Sequence, residues 1–431
     1  MGRELVTVED ISVVDEPHFL IDYRQSKKES ACHALKPFKV VSLFSGCGGL
    51  DLGFIGGFNF RNRFFKKNKF EILFANDIDQ AAEYVYNTNG KFFNNHKLLK
   101  ADIKNINTSI IPDFDFLIAG FPCQPFSNAG LRKGFADERG NLFEECERFL
   151  KDGLERKNKP IGFIFENVKG IMSSKMPDGT LIPDEIVRRT EKLGFKTNYK
   201  LIKTSNYGVP SNRQRLIMVG IRKEIGYFDF NLLDQVVAEY NLPNEIDNSY
   251  ELMLGSVLCD IPINAPQRND ILRYSPGGQY MVDKIGPVKD GVEALEKFKN
   301  KIPLSKISPS IKEGKSWKSM NPADMSERFR KIWDNPQKYR APNFYRRFAL
   351  GEINGTITAS AQPENCGITH PFENRRFSIR EIARIQSFPD DFDFQHKKIA
   401  DAYKVIGNAV PPIFAWVLAK ALLKHIENEK Y

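Results

Sequence analysis

A short apolar run that ends in a glycine-rich turn is the feature that most constrains how this chain folds. Residues 39–44 have the composition of a buried strand, and helix-forming residues follow the turn. A strand, a glycine turn and a helix in this order begin α/β domains of the nucleotide-binding type. The glycine spacing differs from Gly-x-Gly-x-x-Gly, so a pyrophosphate ligand is disfavoured. The turn consists of Ser45, Gly46, Cys47, Gly48 and Gly49.

Further short apolar runs recur along the first half of the chain, separated by charged, helix-length or loop segments. They lie at residues 70–75, 114–119, 161–165 and 216–221. Alternating strands and helices predict an α/β fold with a mostly parallel sheet. After Arg222 the alternation fades and proline and glycine recur, which predicts a second, irregular domain.

The net charge of the chain is concentrated in one stretch. The 431 residues include 63 Lys or Arg and 54 Asp or Glu, a formal net charge of +9. Residues 266–347 contain 18 basic and 9 acidic residues, so this stretch accounts for the whole excess. A polyanion such as a nucleic acid would dock there; on charge alone, a solvated basic surface is an equal alternative.

The composition also bears on metal binding and location. The 6 cysteines form no Cys-x-x-Cys pair, which argues against a zinc site or a disulfide framework. The longest apolar runs are shorter than the roughly 20 residues of a spanning helix, and the first residues lack the pattern of a secretory signal. We therefore expect a cytoplasmic protein with no membrane span and no metal.

Carboxylates follow the next two strand ends. Asp77 follows the second apolar run, where it is placed to accept hydrogen bonds from ribose hydroxyl groups. Asp102 stands at a third acidic strand end, where it would contact an adenine amino group while Ile78 and Ile103 pack on the ring. These residues predict an adenosine-type ligand without a diphosphate. For each Asp alone, a helix cap or a turn remains the alternative.

The segment Gly120-Phe-Pro-Cys-Gln-Pro-Phe-Ser127 is the sharpest local signal. Pro122 and Pro125 stiffen the loop around Cys123 at the end of a strand, where open α/β sheets place their active sites. A single cysteine is more often an inert buried thiol, but this rigid loop favours a thiol that is held in position to react. Glu166 ends the next strand at the same edge, so the pair predicts a nucleophile and an acid.

Two arginines, Arg213 and Arg215, immediately precede the last apolar run. Residues at i and i+2 approaching a strand point the same way, so the pair can hold a carboxylate, a phosphate or a substrate carbonyl. Each arginine alone would more often be a solvated edge residue or half of a structural ion pair.

Taken in order, six motifs resemble those of the DNA (cytosine-5) methyltransferase family, and in particular its bacterial restriction-modification type. The resemblance covers residues 40–423, nearly the whole chain, which makes it highly specific. The motifs are Phe44-Ser-Gly-Cys-Gly-Gly, Asn76-Asp-Ile-Asp, Pro122-Cys-Gln, Glu166-Asn-Val, Arg213-Gln-Arg and Gly407-Asn-Ala-Val-Pro411.

The resemblance implies a role for each matched residue. Cys123 matches the nucleophile and Glu166 the proton donor, while Arg213 and Arg215 match the arginines that hold the cytosine and the catalytic loop. The implied cofactor is S-adenosylmethionine. Its matched contacts are Phe44, Ser45, Gly46, Cys47, Gly48, Gly49, Asp77, Ile78, Asp102, Ile103, Pro122, Asn408 and Val410.

The resemblance also implies an architecture. A Rossmann-like catalytic domain of residues 38–222 is completed by residues 399–431, which return to it, and residues 223–398 form a smaller target-recognition domain. Residues 1–37 form an N-terminal extension. Double-stranded DNA would lie between the domains of a monomer. Two departures from the family pattern concern substrate grip and adenine stacking: Ser211 replaces a common Gln, and Ile78 a common aromatic residue.

The implied reaction is methylation of carbon 5 of a flipped-out cytosine through a covalent cysteine adduct. A bacterial enzyme that shields DNA from a partner restriction endonuclease is the biology expected for a chain of this size. The alternatives are a tRNA cytosine-5 methyltransferase and a catalytically silent DNA-binding homologue. The long basic stretch favours DNA over tRNA, and the intact catalytic motifs argue against a silent homologue.

Overall fold

The computed structural model describes residues 36–122, 142–247, 249–261, 270–288, 291–302, 314–336, 344–360 and 367–429. Nine strands are present in these ranges. They are β1 (Phe38–Leu43), β2 (Phe58–Phe60), β3 (Arg63–Phe65), β4 (Phe70–Asp77), β5 (Leu99–Lys100), β6 (Phe116–Ala119), β7 (Gly162–Val168), β8 (Phe195–Lys203) and β9 (Gln214–Arg222).

Twelve α-helices are present in the same ranges. They are α1 (Gly49–Ile55), α2 (Gln80–Thr88), α3 (Leu142–Leu154), α4 (Ile182–Lys192), α5 (Asn231–Glu239), α6 (Leu254–Leu258), α7 (Pro276–Ile285), α8 (Gly291–Lys299), α9 (Glu327–Asp334), α10 (Ile379–Ile385), α11 (Ile399–Asn408) and α12 (Pro412–Asn428).

Seven strands form one sheet in the order β5-β4-β1-β6-β7-β9-β8. Neighbouring strands from β5 to β7 are parallel, and only β9 runs antiparallel to its neighbours. Strand β6 is buried at every position, which is typical of a parallel strand covered on both faces. The sheet confirms the Rossmann-like α/β fold. The carboxyl ends of β1, β4, β6 and β7 therefore meet at one edge, where β9 begins.

Helices cover both faces of the sheet. Side chains of α1, α5 and α12 belong to one core, and side chains of α3 and α4 belong to a second core. Helix α5 follows residue 222 yet packs against α12, so the helical layer on the sheet extends beyond the last strand. The segment Ile399–Asn428 is apolar and long enough to cross a membrane by composition, but 89% of its most apolar stretch is buried inside the protein.

A small satellite core lies outside the helical layers of the sheet. It joins α7 and α9 to the segments around Trp317 and Tyr345. Arg347, fully buried beside this core, donates hydrogen bonds to the carbonyl oxygens of Val282, His370 and Glu373. Backbone carbonyls thus satisfy the donors of the buried guanidinium, and these hydrogen bonds connect the irregular segments.

Candidate active site

The glycine turn after β1 is held to the end of β4 by a backbone hydrogen bond. The Ser45 N–H donates to the Asn76 carbonyl oxygen at 2.9 Å. Phe44 and Gly46 have positive φ angles of 54° and 57°. A side chain at Gly46 would meet no atom within 4 Å, so the left-handed backbone, and not crowding, favours glycine there. The turn thus opens onto the sheet edge.

Asp77 connects this turn to the next crossover. Its Oδ2 accepts a hydrogen bond from the Gly46 N–H at 2.9 Å, and its Oδ1 accepts one from the Asp79 N–H at 2.8 Å. Burial raises the pKa of the Asp77 carboxyl above its usual value, although these backbone donors oppose the rise. Beside it, the Ile78 side chain is 65% exposed and offers an apolar surface at the strand end.

Asp102 and Asp79 act as helix caps in the structure. Asp102 accepts a hydrogen bond from the Lys104 N–H at 3.0 Å, and Asp79 accepts one from the Ala81 N–H at 2.9 Å. The capping role that the sequence left open for Asp102 is therefore present, and both residues also face the cavity described below.

Glu166 and Arg215 form an ion pair at the ends of β7 and β9. The strand register pairs Val168 with Arg215, so the arginine reaches back along the strand to the glutamate. Arg215 Nε lies 2.7 Å from Glu166 Oε1, without the direction of a hydrogen bond, and the side chains are only 13% and 10% exposed. Burial lowers the pKa of Arg215, and the Glu166 carboxylate opposes this shift.

Arg213 forms no ion pair with Glu166 and instead binds three backbone carbonyls. Its Nη1 donates to Ile357 O at 2.9 Å and Gly407 O at 2.8 Å, and its Nη2 donates to Asn408 O at 3.3 Å. Burial lowers the pKa of this guanidinium well below its usual value, and the charge of Arg215 adds to the effect. Arg213 therefore fastens the C-terminal segment to the sheet edge.

Two residues that sequence reasoning did not select also belong to the site. Asn167 donates from Nδ2 to the Phe121 carbonyl oxygen at 3.1 Å, which holds the backbone just before Pro122. Lys404 Nζ lies 2.6 Å from Asp79 Oδ2. The signal for Asn167 is its place inside Glu166-Asn-Val. The signal for Lys404 is its spacing of four residues before Asn408, which puts both on one helix face.

The strand ends enclose a cavity of about 660 Å³. It brings together predicted residues from all six motifs. Those lining it are Phe44, Ser45, Gly46, Asp77, Ile78, Asp102, Ile103, Pro122, Glu166, Arg213, Arg215, Asn408 and Val410. Cys123 and the rest of its loop, residues 124–141, lie outside the described residues.

Three predicted residues do not line this cavity. Cys47 is buried behind the turn, its thiol donates to the Val405 carbonyl oxygen at 3.5 Å, and burial raises its pKa to about 12. Gly48 and Gly49 pack against Phe93 and the Val410 backbone. These residues support the turn from behind.

Comparison with known proteins agrees with the geometry. The family profile described as C-5 cytosine-specific DNA methylase matches residues 38–424, so the chain belongs to this family. Type II methyltransferase M.PspPI of Psychrobacter sp. (strain TA137) is 31% identical over 405 residues, which cover 92% of this chain and 82% of that protein. For M.FnuDI of Fusobacterium nucleatum the identity is 29% over 394 residues, 91% of this chain and 96% of that protein.

A solved structure shares the fold. The Entamoeba histolytica methyltransferase EhMeth superimposes with a TM-score of 0.55 at 15% identity, covering 92% of this chain and 99% of that one. The expected enzyme class is confirmed: the protein is a C-5 cytosine-specific DNA methyltransferase of the type II restriction-modification kind.

Proposed function

We propose that this enzyme methylates carbon 5 of cytosine within one specific double-stranded DNA sequence and thereby protects that DNA from a cognate restriction endonuclease in the bacterial cytoplasm. The observation that carries the proposal is the Glu166–Arg215 ion pair in the wall of the cavity that Pro122 also lines. An acid, its cationic partner and the residue before Cys123 thus share one site with Asp77.

S-adenosylmethionine fits the cavity as cofactor. The volume of about 660 Å³ lies within the range of small-molecule sites. Asp77 stands where a ribose is bound in such folds, and the exposed Ile78 side chain offers an apolar surface to an adenine ring. Asn408 and Lys404 also line the cavity and provide polar groups, with Lys404 beside Asp79. When bound, this cofactor supplies the electrophilic methyl group of the reaction.

The side chains of the site carry the rest of the chemistry. The Cys123 thiolate forms a bond to carbon 6 of the cytosine, and the displaced ring electrons reach nitrogen 3, which Glu166 protonates. Carbon 5 then has the enamine character needed to accept a methyl group. Loss of the carbon 5 proton to water, return of the nitrogen 3 proton to Glu166 and breakage of the sulfur–carbon 6 bond restore the ring. A nearby arginine favours the thiolate, and Arg215 orients Glu166.

Access to both ring faces requires that the base leave the DNA stack, at a cost of a few kcal/mol. We assign catalysis to residues 38–222 with residues 399–431, and target recognition to residues 223–398. Basic residues of the 266–347 stretch contact phosphates, while a few neighbours read base edges in the major groove. The enzyme acts as a monomer, and residues 1–37 form an extension.

The test is methyl transfer by purified protein with labelled S-adenosylmethionine, supplied with unmethylated genomic DNA or with tRNA. Single-base mapping is expected to find 5-methylcytosine in one short DNA motif. Cys123→Ser and Glu166→Gln are expected to lose methylation and keep cofactor binding, while the matched control Cys259→Ser stays active. Label confined to tRNA, or full activity of Cys123→Ser, contradicts the proposal.

A further inference from the structure

A second cavity, of about 730 Å³, lies apart from the site above and shares no lining residue with it. Its walls come from the β2–β3 hairpin, from residues 242–260 and from the end of α8. Neither the methyl donor nor the target cytosine uses these elements in the proposed function. The cavity therefore has no role yet in the chemistry of the enzyme.

Three cations that line this cavity have side chains without a hydrogen bond or ion pair in the part of the chain that the structure describes. They are Arg61, Lys299 and Lys301. Arg61 Nε is buried from solvent and has no acceptor. A buried donor without a partner is destabilising, so an anionic acceptor entering the cavity would relieve that cost.

The acidic residues of the wall already have partners. Glu251 Oε2 lies 3.6 Å from Arg63 Nη2, and Asp260 pairs with Arg384. Neither carboxylate is therefore left to neutralise the three unpaired cations, and the cavity presents a positive potential to a ligand.

Two of these cations have an unusual backbone conformation. Arg61 has a φ of 52° and Lys301 a φ of 54°. Glycine or asparagine adopts this left-handed region more readily, and a long side chain held there costs conformational energy. In both cases the strained residue is one of the cations that lines the cavity.

The remaining wall includes four aromatic side chains. Phe60, Phe65, Tyr250 and Phe298 contribute to it, and the Tyr250 and Phe298 rings stack with centroids 5.1 Å apart. We propose that this cavity binds the phosphate and base of a nucleotide, either a free nucleotide or one within a DNA strand. Unpaired cations receive the phosphate, the aromatic wall receives the base, and the volume suits a ligand of that size.

The test uses the full chain saturated with S-adenosylhomocysteine, so that the first cavity is occupied. Isothermal titration calorimetry measures ATP binding, and fluorescence anisotropy measures binding of a DNA duplex at several salt concentrations. Arg61→Gly removes the guanidinium and also suits the left-handed backbone; Lys299→Gln removes an exposed cation. The matched control is Lys297→Gln on the same helix, because Lys297 pairs with Glu293 and does not line the cavity.

We expect both cavity variants to weaken binding of ATP or of the duplex at least fivefold and the control to change it less than twofold. Loss of ATP affinity in the two cavity variants identifies a free nucleotide as the ligand. Loss of duplex affinity with a shallower salt dependence, without ATP binding, identifies a DNA strand. If both variants bind ATP and the duplex with wild-type affinity, the proposal is overturned, whatever the outcome of the methylation assay.

Discussion

At the scale of single residues, Asp77 serves two purposes that a sequence does not distinguish. Both its oxygens accept backbone N–H groups, from Gly46 and Asp79, so the carboxylate builds the turn that it also faces. We expect Asp77→Asn to weaken S-adenosylhomocysteine binding about tenfold by calorimetry, because an amide nitrogen cannot accept and one N–H loses its partner.

The conservative change makes this result specific. Asp77→Asn keeps the size of the side chain, so the thermal unfolding temperature and DNA binding should change little. Unaltered cofactor affinity would contradict the assigned position of Asp77 in the cofactor site.

Asp51 makes stability depend on pH. It is fully buried on α1, where it accepts hydrogen bonds from Ser42 at 2.6 Å and from the Tyr86 hydroxyl at 2.9 Å. Burial raises its pKa from 3.8 to about 6. The folded state therefore holds this proton more tightly than the unfolded state. The stabilisation is full below the unfolded pKa and is lost as pH rises through about 6.

The variant Asp51→Asn isolates this effect from those of other carboxylates. The unfolding free energy of the wild type minus that of the variant should fall by about 2 kcal/mol between about pH 4 and about pH 7, as urea denaturation measures it. Parallel stability curves for the two proteins would show that Asp51 has an ordinary pKa.

At the scale of elements, the end of α11 closes the site through a contact that only glycine permits. A Cβ at Gly407 would lie 2.4 Å from the Thr358 carbonyl carbon and 2.5 Å from the Ala359 nitrogen, both backbone atoms. We expect Gly407→Ala to lower the unfolding free energy by about 1–3 kcal/mol and to weaken cofactor binding, since the neighbouring Asn408 would shift.

Gly277→Ala on α7 is the matched control, because a Cβ there would meet no atom within 4 Å. Its unfolding free energy should stay within about 0.5 kcal/mol of the wild type. Equal stability of the two alanine variants would mean that α11 does not pack as closely on residues 358–359 as described.

Arg213 positions the C-terminal segment, although the sequence predicts that it binds an anion together with Arg215. The i, i+2 spacing predicts two arginines facing one anion, yet only Arg215 meets Glu166. Arg213 instead binds carbonyls of Ile357 and Gly407, which are far from it in sequence. Its guanidinium thus holds the returning C-terminal segment against the sheet.

At the scale of the whole molecule, the charge distribution predicts strong salt dependence of DNA binding. The excess of +9 resides in residues 266–347, and each phosphate contact releases condensed counterions. Affinity for a duplex should fall at least tenfold between about 50 and about 200 mM salt, measured by fluorescence anisotropy. Affinity for S-adenosylhomocysteine in the same buffers is the control, and a salt-independent duplex affinity would contradict phosphate contacts by this stretch.

Much of the fold and of the candidate site could be predicted because the relevant signals are local. Apolar runs such as residues 114–119 are buried strands in the sheet, and strand ends carry Asp77 and Glu166 to one edge. Cys47 was predicted among the cofactor contacts because it stands inside the motif, but its thiol points behind the turn to Val405, 358 residues away.

The amino-acid sequence by itself determined the class of fold, the order of the motifs and the edge of the sheet where they meet, since strand periodicity and glycine turns depend on neighbours along the chain. Only the tertiary structure decided which arginine pairs with Glu166, which residues of the glycine turn face the cavity, and that unpaired cations line a second one. Those outcomes depend on burial and on contacts between segments distant in sequence, which no local pattern encodes.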